Sequence, residues 1–157
     1  MKLSTKARYA VMALLDMLKE GKETPVSLVS ISDRQSLPLP YLEQIFLKLR
    51  KNGLVQSTRG SQGGYVLARD PAEITLFDIV VSVDREFKSK RCQNAVMGCQ
   101  PGGLRCMTHD LWAKLDDVVE SFFKSLTLKH VIDRDVSHMV FSMQIQNNSN
   151  ANMIKVA

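Results

Sequence analysis

The sequence predicts a mostly α-helical protein with one small β-hairpin and a long C-terminal helix. Three observations predict it. Apolar residues recur at helical spacing in three successive N-terminal segments. Two short β-prone runs then flank a glycine-bearing turn. After a long stretch without periodicity, a last segment carries apolar residues on one helical face.

The first helix is expected to start at Ser4 or Thr5 and to bury Ala7, Ala10, Val11, Leu14, Leu15 and Leu18. Gly21 ends it, and Pro25 interrupts the chain. A short second helix over 28–34 turns Leu28 and Ile31 inward, and Gln35-Ser36-Leu37-Pro38 is a turn. A third helix opens at Pro40, where a missing N–H costs nothing, and Leu42, Ile45, Phe46 and Leu49 form its apolar face. Gly53 is placed as its C-terminal cap. Leu54–Thr58 and Gly64–Ala68 read as strands around Arg59-Gly60-Ser61-Gln62-Gly63. Helix, helix, turn, helix, hairpin is the order of a winged helix-turn-helix. Another helix begins with Thr75 as N-cap and Asp78 as a first-turn acid, and Ile74 and Ile79 are spaced for a hydrophobic staple.

The expected division is a winged helix-turn-helix DNA-binding domain over 1–83, an aperiodic metal-binding loop over 84–107, a dimerisation helix over 108–132 and a disordered, Asn-rich tail over 133–157. On the last helix, Leu111, Leu115, Val118, Val119, Phe122 and Leu126 share one face, with Trp112 and Phe123 beside it. So wide an apolar face needs a further surface, its own domain or a partner subunit. Phe46, Phe77 and Phe122 read as core, Trp112 as packing, and His130 and His138 as surface histidines.

The chain of 157 residues has three cysteines, a net charge of +5 and a pI of about 9.2. No apolar run is long enough to span a membrane, and the basic N-terminus leads into an amphipathic pattern instead of a signal-peptide core. The expectation is a cytoplasmic protein with reduced, metal-competent thiols, because an odd cysteine count without an export signal does not suit a disulfide framework. No Ser/His/Asp, Walker or Rossmann pattern is present, so an enzyme is not expected.

All three cysteines fall in one glycine-bearing segment with a histidine close behind, in the spacing C-x6-C-x6-C-x2-H: Cys92, Cys99, Cys106 and His109. Four such donors suffice for a thiophilic metal or cluster. Structural zinc favours close Cys pairs that pre-set two corners of a tetrahedron, whereas wide spacing suits a larger 2Fe–2S cluster, on which histidine can replace a thiolate. Zinc and metal-free reduced cysteines remain open on spacing alone.

The third helix leaves Tyr41, Glu43, Gln44, Lys48 and Lys51 outward. Between Phe46 and Arg69 lie Lys48, Arg50, Lys51 and Arg59 with no acid. Such a surface suits double-stranded DNA: Gln44 can pair with adenine and Glu43 can accept from a cytosine amino group. Arg59 heads the hairpin turn, where Gly60 permits close approach to phosphate, and can enter a minor groove. A solvated charged face is the plain alternative.

These residues carry a resemblance. Lys6-Ala7-Arg8-Tyr9-Ala10-Val11, Tyr41-Leu42-Glu43-Gln44-Ile45-Phe46, Leu49-Arg50-Lys51-Asn52-Gly53-Leu54-Val55, Arg59-Gly60 with Gly63-Gly64-Tyr65, and Arg91-Cys92-Gln93 with Cys106-Met107-Thr108-His109 resemble the IscR-type, iron–sulfur-cluster-dependent transcription regulators. The likeness runs over about Met1 to Ile132. It implies a homodimer joined by a crossing helix, with one 2Fe–2S cluster on Cys92, Cys99, Cys106 and His109. It also implies DNA contacts from Glu43, Gln44 and Arg59, and regulation of iron–sulfur assembly genes, the assembly machinery supplying the cluster. Nitric-oxide- or iron-responsive repressors of the same family also keep three cysteines. Two features depart from the pattern: both inter-cysteine gaps are six residues where the family has five, and Pro38 and Pro40 stand in a turn that is usually serine-bearing.

Overall fold

The structure, a computed structural model, describes residues 3–21, 23–60, 63–84 and 104–134. Of the expected loop over 84–107 and tail over 133–157, residues 85–103 and 135–157, with His138, lie outside the described residues.

Six helices and one hairpin are described: α1 (Thr5–Glu20), α2 (Leu28–Gln35), α3 (Leu39–Lys51), β1 (Val55–Thr58), β2 (Gly64–Leu67), α4 (Leu76–Val83), α5 (His109–Ser125) and α6 (Leu128–Ile132). The mostly α fold with a small hairpin is as expected. Ser4 and Ser27 cap α1 and α2 by accepting the backbone N–H three residues on. Pro38 is the N-cap of α3, so that helix starts one residue before the expected Pro40, which falls within its first turn. Thr75 and Asp78 close a reciprocal capping box on α4, and Ile74 and Ile79 are both fully buried.

One core joins these elements. On α1 the fully buried residues include Ala7, Ala10 and Ala13, whose small side chains allow other helices to come close, together with Leu14. Val11, Leu15 and Leu18 are only partly buried, and Met17 is inside, so the buried stripe is displaced from the expected one. Four other helices, α2, α3, α4 and α6, pack on α1, and their combined placement, which no local pattern announces, sets the buried face. Leu42, Ile45, Phe46 and Leu49 are all buried, as their spacing requires.

The C-terminal helix departs from expectation. It breaks at Leu126–Thr127, where Thr75 and Thr127 form an antiparallel bridge: Leu76 N–H donates to Leu126 O at 2.8 Å and Leu128 N–H to Ile74 O at 3.0 Å. The 108–132 span is thus two helices. Leu126 and Leu128 belong to the same core as residues 7–83, so the core of the expected N-terminal domain includes them. His130, expected on the surface, is half-buried, and its Nδ1 accepts the Thr127 N–H at 3.1 Å as the second half of a capping box.

A charge lies within the packed region. Asp16 is 4% exposed, and its carboxylate accepts from Arg34 Nη2 at 2.6 Å, Arg34 Nε at 3.0 Å and Gln35 Nε2 at 2.7 Å. Burial raises the carboxyl's pKa, but the hydrogen bonds from Arg34 and Gln35 and the Arg34 charge lower it further, leaving it below the usual carboxylate value. A depressed folded-state value contributes stability that is present above the unfolded pKa of about 3.9 and lost as pH falls through the folded value. Asp16→Asn should therefore cost about 1–3 kcal/mol near neutral pH, and less in acid, where the wild type also loses the charge. Urea unfolding of both proteins at pH 7 and pH 3 checks this; an equal gap at both pH values would show that the charge contributes nothing.

Candidate functional site

Two groups of sequence-predicted residues are positioned by this core. The first is the outer face of α3 with the hairpin. Glu43, Gln44, Lys48, Arg50 and Lys51 are exposed along α3, and Arg59 and Gly60 are exposed at the hairpin end. The turn that aims α3 is closely specified. Ser36 ends α2 in the left-handed conformation, with φ 52°, while Ser32 Oγ donates to Leu37 O at 2.6 Å and Leu37 N–H to Ser32 O at 3.1 Å.

The hairpin is antiparallel, pairing Val55 with Leu67 and Thr58 with Gly64. Tyr65 exchanges both backbone hydrogen bonds with Val26, at 3.0 and 2.9 Å, and Phe46 of α3 meets the Tyr65 ring edge-on at 4.9 Å between centroids. A Cβ on Gly64 would stand 2.6 Å from the Val26 backbone, so only glycine admits this third run of chain. Gly60 has φ +118°, which turns the chain immediately after Arg59. Orientation between recognition helix and wing thus rests on Phe46, Tyr65 and Val26.

Two α3 residues sit differently from their expected outward placement. Tyr41 is half-buried, its ring edge-on to Tyr9 at 5.6 Å, and Lys6 Nζ lies 6.0 Å from the Tyr41 ring centroid. Tyr41 therefore braces α3 on α1 as well as fronting the surface. Lys6 joins the basic face, although it stands far away in sequence; the basic N-terminus was its only signal. Lys48 is exposed, but its ammonium donates to Val83 O at 2.9 Å. Val83 O is one of the last carbonyls of α4, where a cation offsets the helix dipole.

The second group lies at the start of α5. His109 is its first residue and is 6% exposed; its backbone N–H donates to Cys106 O at 3.0 Å. Cys106 is half-buried, with Sγ 3.7 Å from Thr108 Oγ1, and Trp112 Nε1 donates to the same hydroxyl at 3.1 Å. Trp112 is exposed and does not pack in the core as expected. Cys92 and Cys99 lie outside the described residues. A thiol and an imidazole one turn apart at the start of α5 are both donor types that a thiophilic metal takes.

Further along α5, Leu111, Leu115 and Val118 are exposed, whereas Val119, Phe122 and Phe123 pack against the core and Lys124 Nζ lies 4.9 Å over the Phe77 ring. The face expected to be one apolar stripe is divided between core and surface. Among the described residues, no helix is long and apolar enough to cross a membrane.

A helix presenting an exposed polar and basic face, with a hairpin tied to it, is the arrangement of a DNA-binding transcriptional regulator. The chain belongs to the Rrf2 family, described as iron-dependent transcriptional regulators, whose model matches residues 3–134. It is 47% identical to the HTH-type transcriptional regulator IscR of Photorhabdus laumondii over 133 residues, which cover 85% of this chain and 80% of that protein. The IscR of Serratia proteamaculans is 46% identical over the same length and coverage. Among solved structures, T. potens IscR superimposes with a TM-score of 0.69 at 38% identity, covering 86% of this chain and 88% of that one. CymR, the global cysteine regulator of B. subtilis, superimposes with a TM-score of 0.72 at 32% identity, covering 85% and 98%. The resemblance and fold read from the sequence are borne out.

The link from Lys48 to Val83 is directly testable. Lys48→Ala should cost about 0.5–1.5 kcal/mol by leaving the α4 carbonyl without that donor, whereas Lys51→Ala should stay within about 0.5 kcal/mol of wild type. Urea midpoints of the two variants check it, and equal midpoints would show the link to be energetically idle.

Proposed function

We propose that this protein is a cytoplasmic, homodimeric, cluster-sensing regulator. It binds a double-stranded DNA operator through α3 and the hairpin, and controls iron–sulfur assembly genes according to whether a 2Fe–2S cluster from the assembly machinery is bound. Cys92, Cys99, Cys106 and His109 would hold the cluster. The observation that carries the reading is the buried His109 at the first position of α5, one turn from Cys106, on a chain whose remaining cysteines lie just upstream. When bound, the cluster supplies a redox-sensitive, removable charge centre.

The chain's own residues provide a route from ligand segment to DNA. The segment carrying the cysteines leaves α4 just after Val83, whose carbonyl is held by Lys48 of the recognition helix. A change in the path of the chain at the end of α4 therefore bears on α3 through one charge-assisted bond. Beyond that segment, the chain that follows α5 returns to the start of α4 through the Thr75–Thr127 bridge. On α3, Glu43 and Gln44 face outward for base edges, while Arg50, Lys51 and Arg59 supply charge for phosphates. The exposed Leu111, Leu115 and Val118 suit a second copy of the same helix, a self-complementary contact across a two-fold axis.

Anaerobic purification followed by absorption and Mössbauer spectroscopy tests the cofactor. A red-brown protein with one 2Fe–2S cluster per subunit is expected, and Ala at Cys92, Cys99, Cys106 or His109 should remove or alter the visible bands. A colourless wild type with stoichiometric zinc would sink the cluster reading. The assembly is tested separately. Leu115→Glu combined with Val118→Glu should give folded monomers in light scattering, because both side chains are exposed within one protomer. A dimer that persists in this variant would place the interface elsewhere.

A further inference from the structure

The buried stripe of α3, Leu42, Ile45, Phe46 and Leu49, defines an opposite ridge at the spacing i, i+4, i+7, i+11: Pro40, Gln44, Leu47 and Lys51. All four are exposed, and Leu47 is 59% exposed. A lone surface leucine ordinarily requires no explanation. Leu47 differs in its position. It is at the centre of the ridge that faces outward between the wing-side charges and the α3 start, one turn beyond Gln44.

We infer that Leu47 is a specificity-determining residue that packs against the C5-methyl of a thymine in the major groove, beside the base read by Gln44. The inference rests on the DNA-binding reading above. Its physical basis is the groove's chemistry. The thymine methyl is the one apolar group that a base pair presents there, and it is recognised by apolar contact. Glutamine's bidentate partner in the same groove is adenine. Three residues of helix advance about 4.5 Å, close to one base-pair step of about 3.4 Å, so Gln44 and Leu47 reach neighbouring pairs. An A·T pair adjacent to a thymine is thus the half-site core that this ridge fits. Pro40 adds a second apolar surface on the same ridge where a donor is absent, so the face favours methyl contact over hydrogen bonding at its edges. Placed in solvent, Leu47 contributes little to the fold, so replacing it should leave stability intact.

The test uses duplexes enriched by the full-length protein from a random pool, then resynthesised with deoxyuridine at one thymine at a time, which removes only the methyl. Wild type should lose about fourfold in affinity when the contacted thymine of a half-site is replaced, the scale of one buried methyl group. Leu47→Ala should lose a similar factor on the thymine duplex and be indifferent to uracil at that position. Its salt dependence should match wild type, since no charge changes. If the wild type enriches and binds a duplex but no uracil substitution weakens it, this inference fails while DNA binding stands. It also fails if Leu47→Ala keeps the wild-type sensitivity to uracil. If the wild type enriches no duplex at all, the DNA reading itself falls, and this inference with it.

Discussion

The arrangement depends on a carboxylate held inside the packed helices. Asp16 on α1 accepts hydrogen bonds from the last residues of α2, Arg34 and Gln35, and so fixes where α2 ends. A buried ion pair of this kind adds little net stability once desolvation is counted, but it penalises any packing that leaves the charge unpaired. Its effect here is on geometry. The chain leaves Gln35 through a left-handed Ser36 and enters α3 at Pro38, so an error in the last turn of α2 would be passed directly to the recognition helix.

The same logic extends outward in two directions. Phe46 carries the placement of α3 to the wing through the Tyr65 ring, and the Val26 backbone completes the hold on β2. Lys48 carries it to the end of α4, which the cysteine-bearing stretch follows in sequence. These directional contacts act in addition to the apolar core that α3 and α4 share. Contacts of about 1 kcal/mol each can be strained or relieved by a local change without unfolding the protein. That is a suitable stiffness for a switch. The division of α5 serves the same end: its later turns, with Phe122 and Phe123, are seated on the core, while its first turns, with Cys106 and His109 just at their start, present Leu111, Leu115 and Val118 outward.

Much of this was legible locally. Helical spacing picked out Leu42, Ile45, Phe46 and Leu49, because one face of a 3.6-residue period must be buried whatever it packs against. Capping residues Thr75 and Asp78 announced α4, since their chemistry acts within three residues. The clustering of Cys106 with His109 was equally local. Where contacts come from far along the chain, the reading changed. Met17 and Ala13 are inside because elements distant in sequence cover α1, Tyr41 is half-buried because α1 brings Tyr9 beside it, and the break at Leu126 exists because Thr75 offers an edge to pair with.

The sequence by itself determined the element types, the apolar face of the recognition helix and the basic stretch around the wing, because periodicity, capping and charge are properties of neighbouring residues. Tertiary structure alone decided that Asp16 is the charge fixing α2, that Lys48 is tied to α4, that the last helix is broken so that Leu126 and Leu128 complete the N-terminal core, and that Leu47 is left facing outward. Those outcomes depend on which surfaces meet across long stretches of chain. Burial and partnership there are set by the packing of several elements at once, and no single segment carries that information.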